Sequence, residues 1–241
     1  MDNLRTVSDT KRDFYARHTR PINSVYGRVV EELLVEMHLL SVNVDFRNDP
    51  IYYLGVVTSF DRFMEGYEPE KDKDSIFAAL CQSVGGNARE YRNEAAKLTT
   101  FAQERSGEEL ITWLASPTPI QGMKSLSKSL QEITNNPKFK YSRLFAIGLY
   151  SLLEQADSEL VKEEESRDRS FKQIAEALHL PLEKLNKDLE LYRGNLEKMT
   201  QMLTVLQDTL EADRKKQQER SLAKEPETKT NSPDLEKKEE G

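Results

Sequence analysis

At 241 residues the chain has room for one large domain or two small ones. Hydrophobic residues at 37% and charged residues at 32% describe an ordinary domain diluted by a polar appendage, and a net charge of −7 gives nucleic acid no general attraction. Single Cys81 excludes an internal disulfide and suits a reducing compartment, no apolar run approaches the ~20 residues that cross a bilayer, and MDNLRTVSDTKRDF lacks the apolar core of a secretory signal.

Helical periodicity broken by Pro and Gly runs the length of the chain. SDTKRDFYARH (8–18) is a short amphipathic start. Pro21 is expected to open PINSVYGRVVEELLVEMHLL, whose apolar residues recur at helical spacing and place it deep in the core, with close packing at Gly27. SVNVDF (41–46) is a connector. Asp49-Pro50 reads as an N-cap followed by proline at the first helical position of PIYYLGVVTSFDRFM, ended by Gly66. PEKDKDSIFAALCQSV stops at Gly85-Gly86, Asn87 caps the next helix, and SGEE (106–109) is a capping box for a short helix carrying Trp113. Pro117 and Pro119 interrupt the chain before IQGMKSLSKSLQEI. KFKYSRLFAIGLYSLLEQA is a second core helix, and the cluster Glu163-Glu164-Glu165 separates it from SFKQIAEALHL. Pro181 opens a long final helix. From Ala223 the chain is almost wholly polar and cannot offset its ordering entropy. The expected fold is all-α: a helical bundle over 1–178, a long amphipathic, coiled-coil-like helix over 179–220 packing partly on it, and a disordered polar tail over 221–241.

Motifs for chemistry fail on inspection. GMKS (122–125) lacks the first glycine of a phosphate-binding loop, which Pro117 replaces, and Met123 intrudes before Lys124. His18, His38 and His179 are far apart, and Val35 stands where a Glu-x-x-His metal motif needs glutamate, so Glu32 and Glu36 read as a salt-bridged edge. Cys81 lies on an apolar face as a small core residue. No serine occupies a nucleophile elbow. No catalytic residue, cofactor or metal is therefore expected. Residues 171–192 have the outline of a helix-turn-helix, but His179 sits where the turn favours glycine. Lys184 and Lys187 in its second helix are also outweighed by Glu183, Asp188 and Glu190. An αα-hairpin and no nucleic-acid partner are expected, with a nucleic-acid-binding regulator kept as an alternative.

The final helix carries Leu182, Leu189, Leu196, Leu203 and Leu210 seven residues apart, with Leu185, Tyr192, Met199 and Leu206 at the d positions. At 1.5 Å per residue it extends about 60 Å. Its e and g flanks are nearly neutral, so they encode no homodimeric partner, and Leu191, Met202 and Val205 widen the face. The first turns are expected to pack on the chain's own bundle, with a partner or a second copy as the alternatives for the outer part around Leu196, Leu203, Leu206 and Leu210. The chain is expected to be a monomer.

TVSDTKRDFYARHTRPINSVYGRVVEELLVEMHLLSVNVDF, DPIYYLGVVTSFDRFMEGY and PEKDKDSIFAALCQSVG resemble the thylakoid formation protein family, also described as a photosystem II biogenesis factor. The likeness weakens toward residue 205, and a chain starting directly at the domain looks like the cyanobacterial form. The resemblance implies an all-helical, non-enzymatic protein on the thylakoid membrane. It also implies a role in photosystem II assembly and repair through an FtsH-type membrane protease. Localisation is expected to be cytoplasmic and peripheral to the thylakoid, with a membrane-organisation factor as the other alternative. The polar signature residues Arg17, His18, Thr19, Arg20 and Asn23 are candidates for a partner surface; caps and internal hydrogen bonds are the competing reading.

Overall fold

The computed structural model describes residues 5–222 other than 121, with side chains described throughout that span except at 206, 207, 210, 213 and 217–222. The polar tail from Ala223 lies outside the described residues. Among them the fold is all-α: α1 (Val7–Arg17), α2 (Ser24–Ser41), α3 (Pro50–Phe63), α4 (Asp72–Ser83), α5 (Ala88–Gln103), α6 (Gly107–Ala115), α7 (Lys124–Asn135), α8 (Arg143–Ala156), α9 (Ser158–Lys162), α10 (Glu164–Ala177) and α11 (Leu182–Leu222). Residues up to Met199 form one unit, and those from Thr200 a second.

Several boundaries follow from local chemistry. The Asp49 side chain accepts from the Tyr52 amide at 2.9 Å, with Pro50 at the start of α3. Asn87 caps α5, and Ser106 with Glu109 forms the reciprocal box that opens α6. Elsewhere the local signals mislead. Pro21 does not open α2; Asn23 does, its side chain accepting from the Val25 amide at 3.1 Å. The acidic cluster separates helices only through its first residue, Glu163, which stands between α9 and α10. Glu163 accepts from the amides of Glu165 and Ser166, so it caps α10, and Glu164 and Glu165 occupy the first turn, where the helix dipole favours negative charge. The residues before it form the short helix α9.

The core centres on α3 and α8. From Ile51 to Val57 and from Leu144 to Leu153 every residue is buried, so both helices are enclosed around their circumference. Two glycines let their backbones meet. A Cβ on Gly55 would lie 1.7 Å from the Leu144 carbonyl oxygen, and one on Gly148 would lie 1.9 Å from that of Ile51. By contrast, a Cβ on Gly27 would meet nothing nearer than 3.8 Å, so the tight contact lies elsewhere than expected. Nor is α2 wrapped: it buries Tyr26, Val30, Leu33, Leu34 and Met37, while Leu39 is 57% exposed. Charges interleaved along α2 keep one face in water.

The turn from α10 to α11 places His179 at φ 55, and the Leu180 amide donates to the Ala175 carbonyl at 2.8 Å. That is the closing bond of a helix terminus normally built on glycine. Histidine therefore adopts the left-handed conformation here, and its presence is no obstacle to a tight αα turn.

Candidate partner-binding surfaces

The N-terminal signature residues sit where α1 meets α2 and α4. A box between Thr6 and Asp9 starts α1. Buried Thr10 then hydrogen-bonds His38 through Oγ1 and Nδ1 at 2.9 Å, and His18 Nδ1 lies 2.9 Å from Ser75 Oγ. His18 is only 2% exposed, so it clamps α1 to α4 rather than facing a partner. Desolvation holds both histidines below the ordinary imidazole pKa. Arg17 and Arg20 reach the surface but are engaged. Arg17 pairs with Asp13 at 2.9 Å and donates to Gln82, while Arg20 lies 2.8 Å from the buried Asp72 carboxylate. The structure thus brings the three residues into one region as an internal fastening with two partly exposed guanidinium groups.

On α11, the first unit takes Leu185, Leu189, Tyr192 and Met199 into its interior. Tyr192 meets Phe63 and Tyr150 edge-on, with ring centroids 5.8 and 6.3 Å apart. Leu182 and Leu196 are half-buried, and Leu191 is 49% exposed. Leu196 borders a cavity of about 470 Å³ shared with Arg62, Tyr150 and Arg193. In the second unit Leu203 is half-buried and Val205 is 63% exposed. The side chains of Leu206 and Leu210 lie outside the described residues.

A third surface has no counterpart in the sequence reading. α2, the segment before α8 and the first turns of α11 line an open groove of about 770 Å³. Arg143 clasps Glu36, with Nε 3.1 Å from the carboxylate, and Tyr141 donates to Asp188 at 2.9 Å. Burial pushes the Glu36 carboxyl above the usual range against the opposing pull of Arg143. The paired spacing of Glu32 and Glu36 on α2 signalled a salt-bridged edge. It could not signal that residues near 140 and 184 would close over it.

These features define a class: an all-α protein built on a glycine-mediated helix pair, with apolar residues left partly uncovered along a long C-terminal helix. The model of the thylakoid formation protein family matches residues 6–221, and the chain belongs to that family. It is 60% identical over 220 residues to the Thf1 protein of Trichormus variabilis, covering 91% of this chain and 94% of the relative. The Thf1 protein of Gloeothece citriformis is 57% identical over 223 residues, covering 92% and 99%. A solved structure of Psb29 superposes with a TM-score of 0.77 at 46% identity, covering 88% of this chain and 98% of that one. The resemblance read from the first eighty residues is thereby established, together with the all-α fold. Among the described residues no helix is long and apolar enough to cross a membrane.

Proposed function

We propose that this protein is a non-enzymatic adaptor for photosystem II biogenesis and repair, which binds and stabilises an FtsH-type thylakoid membrane protease from a peripheral position on the thylakoid membrane. Family membership supports the thylakoid setting. The observation that carries the adaptor role is the apolar surface α11 leaves uncovered: Leu185, Leu189, Tyr192 and Met199 are buried, while Leu182, Leu196 and Leu203 are half-buried and Leu191 and Val205 are 49% and 63% exposed. Large apolar side chains each gain about 1.5–3 kcal/mol on burial, so a helix that leaves such residues partly uncovered is suited to a protein partner. Leu196, Leu203, Leu206 and Leu210 form the candidate seam, with Arg17 and Arg20 as candidates for a polar contact.

The test is a pull-down from detergent-solubilised thylakoids with the tagged full-length protein, read by mass spectrometry. The wild type is expected to retain the protease, and Leu203→Glu with Val205→Glu to retain at least tenfold less at unchanged Tm. Full retention by that variant would move the contact off α11, and absence of the protease from the wild-type eluate would sink the adaptor reading.

A further inference from the structure

The acids and bases lining the groove beside α2 are not symmetrically engaged. Its carboxylates are largely committed within the protein: Glu36 to Arg143, Glu31 to Lys11 at 2.8 Å and to the Tyr15 hydroxyl at 2.7 Å, and Asp188 to Tyr141. Only Glu32 among the lining acids makes no such bond to another described residue. Three lining cations, Arg28, Lys140 and Lys184, are solvent-exposed and form no ion pair among the described residues. Lys184 lies over the Tyr141 ring, 5.1 Å from its centroid, and keeps its charge at the rim. The lining thus carries five cations against four carboxylates, since a hydroxyl donor leaves Asp188 charged, and a local excess of one positive charge stands on a chain whose net charge is −7.

Between those cations the buried lining mixes the Glu36–Arg143 pair with apolar surface. Leu40 and Tyr141 are 7% and 8% exposed at the bottom, and Leu39 stands 57% exposed beside them. A solvent-facing leucine next to a recess of about 770 Å³ is an anchor point of the size that short ligands fill. Each of these residues comes from the first unit, from three segments that meet only on folding.

We propose that this groove docks a short acidic peptide segment of a partner protein, one that sets an apolar side chain against Leu39 and the recessed floor and its carboxylates against Arg28, Lys140 and Lys184. Charge complementarity selects the acidic partner. Leu39, a single exposed leucine beside the cations, offers one apolar contact of the size of a peptide side chain, and vesicle flotation separates a lipid surface from a peptide. No residue lining the groove belongs to the α11 candidate seam. Rim cations chiefly raise the association rate and make binding salt-sensitive, whereas the buried apolar contact slows release.

The test selects a displayed library of random twelve-residue peptides on the full-length protein, then measures the enriched peptides by fluorescence anisotropy. Enriched sequences are expected to combine Asp or Glu with Leu, Ile or Phe. Their binding should weaken at least tenfold with Arg28→Glu, Lys140→Glu and Lys184→Glu combined, at least threefold with Leu39→Ser, and again on raising NaCl from 50 to 300 mM. All four positions are exposed, and unchanged far-ultraviolet circular dichroism and Tm will certify the variants. Enrichment without acidic residues, or equal binding to the charge-reversed variant, overturns the proposal. So does a selection that yields no binder, whether or not the protein floats with vesicles containing phosphatidylglycerol. Flotation abolished by the same charge reversal would assign the cations to a lipid surface instead. Leu203→Glu with Val205→Glu should leave the peptide affinity unchanged, so failure here and failure of the α11 reading are separately visible.

Discussion

Replacing Gly148 by alanine tests the packing that holds the core together. The added Cβ would lie 1.9 Å from the Ile51 carbonyl oxygen, 2.9 Å from its carbonyl carbon and 3.0 Å from the Gly55 amide nitrogen. An ordinary carbon-to-oxygen contact needs about 3.3 Å, so α3 and α8 must separate locally by about 1.4 Å. The obstructing atoms are backbone, which cannot rotate away as a side chain can. Overpacking of this kind costs about 1–3 kcal/mol and more where the backbone must move, against which alanine recovers about 1 kcal/mol of helix propensity. A net loss of about 2 kcal/mol or more is expected, lowering Tm by about 4–8 °C for a chain of this size. Gly194→Ala is the internal control, because a Cβ there meets nothing within 4 Å. It should stabilise α11 by about 0.5–1 kcal/mol through propensity alone. Urea unfolding followed at 222 nm will read both variants. A Gly148→Ala midpoint equal to or above that of the wild type would refute the close-contact reasoning. Gly55→Ala combined with Gly148→Ala should cost less than the sum of the two, since one separation of the helices relieves both clashes.

Two further expectations concern pH. His18 and His38 are neutral in the folded protein because burial disfavours their charged forms, with Arg20 and Asp72 near the first and Arg5 and Asp9 near the second. The unfolded chain binds these protons first as pH falls below about 6.5, so stability is complete above that value and declines on acidification. His18→Gln with His38→Gln should show a shallower loss of urea midpoint between pH 7 and 5 than the wild type; parallel curves would reject the assignment. Asp49 has the opposite sign, since burial raises its carboxyl to about 7 against two backbone amide hydrogen bonds. Asp49→Asn keeps the cap without a buried charge, so its midpoint should match the wild type near pH 4, where the unfolded carboxyl is still largely protonated, and exceed it increasingly up to about pH 7; a deficit that grows with pH would show that the ionised cap is favoured.

Much of the helical order is legible because its signals are contained in a few neighbouring residues. Asp49-Pro50, Asn87 and the Ser106–Glu109 pair start helices through bonds to amides two or three residues away, so reading them needs no tertiary information. The connector over 41–46 and the opening of α11 after Pro181 are readable for the same reason. Pro21 and Asn23 compete over the same turn, and the capping bond at Asn23 decides between them. The acidic run at 163–165 reads as a break by composition, yet its carboxylates stabilise a helix N-terminus. Family likeness was carried by long runs of particular residues near the N-terminus, and the match over 6–221 bears it out.

The candidate surfaces divide along the same line. Periodicity alone identifies the apolar seam of α11, because helix geometry fixes which positions share a face. It cannot say that Tyr192 is covered, since covering requires Phe63 and Tyr150 from elements far away in the chain. His18 is a polar residue in a polar stretch, and only the arrival of Ser75 from α4 makes it an interior clamp. Gly27, Gly55 and Gly148 look alike in sequence, but only the last two stand where another backbone crosses. What the sequence determined by itself is the set of helices, their apolar faces and the family. What tertiary structure decided is which faces meet water and which charges remain unpaired, because burial and charge pairing belong to contacts between elements and exist only once those elements have docked.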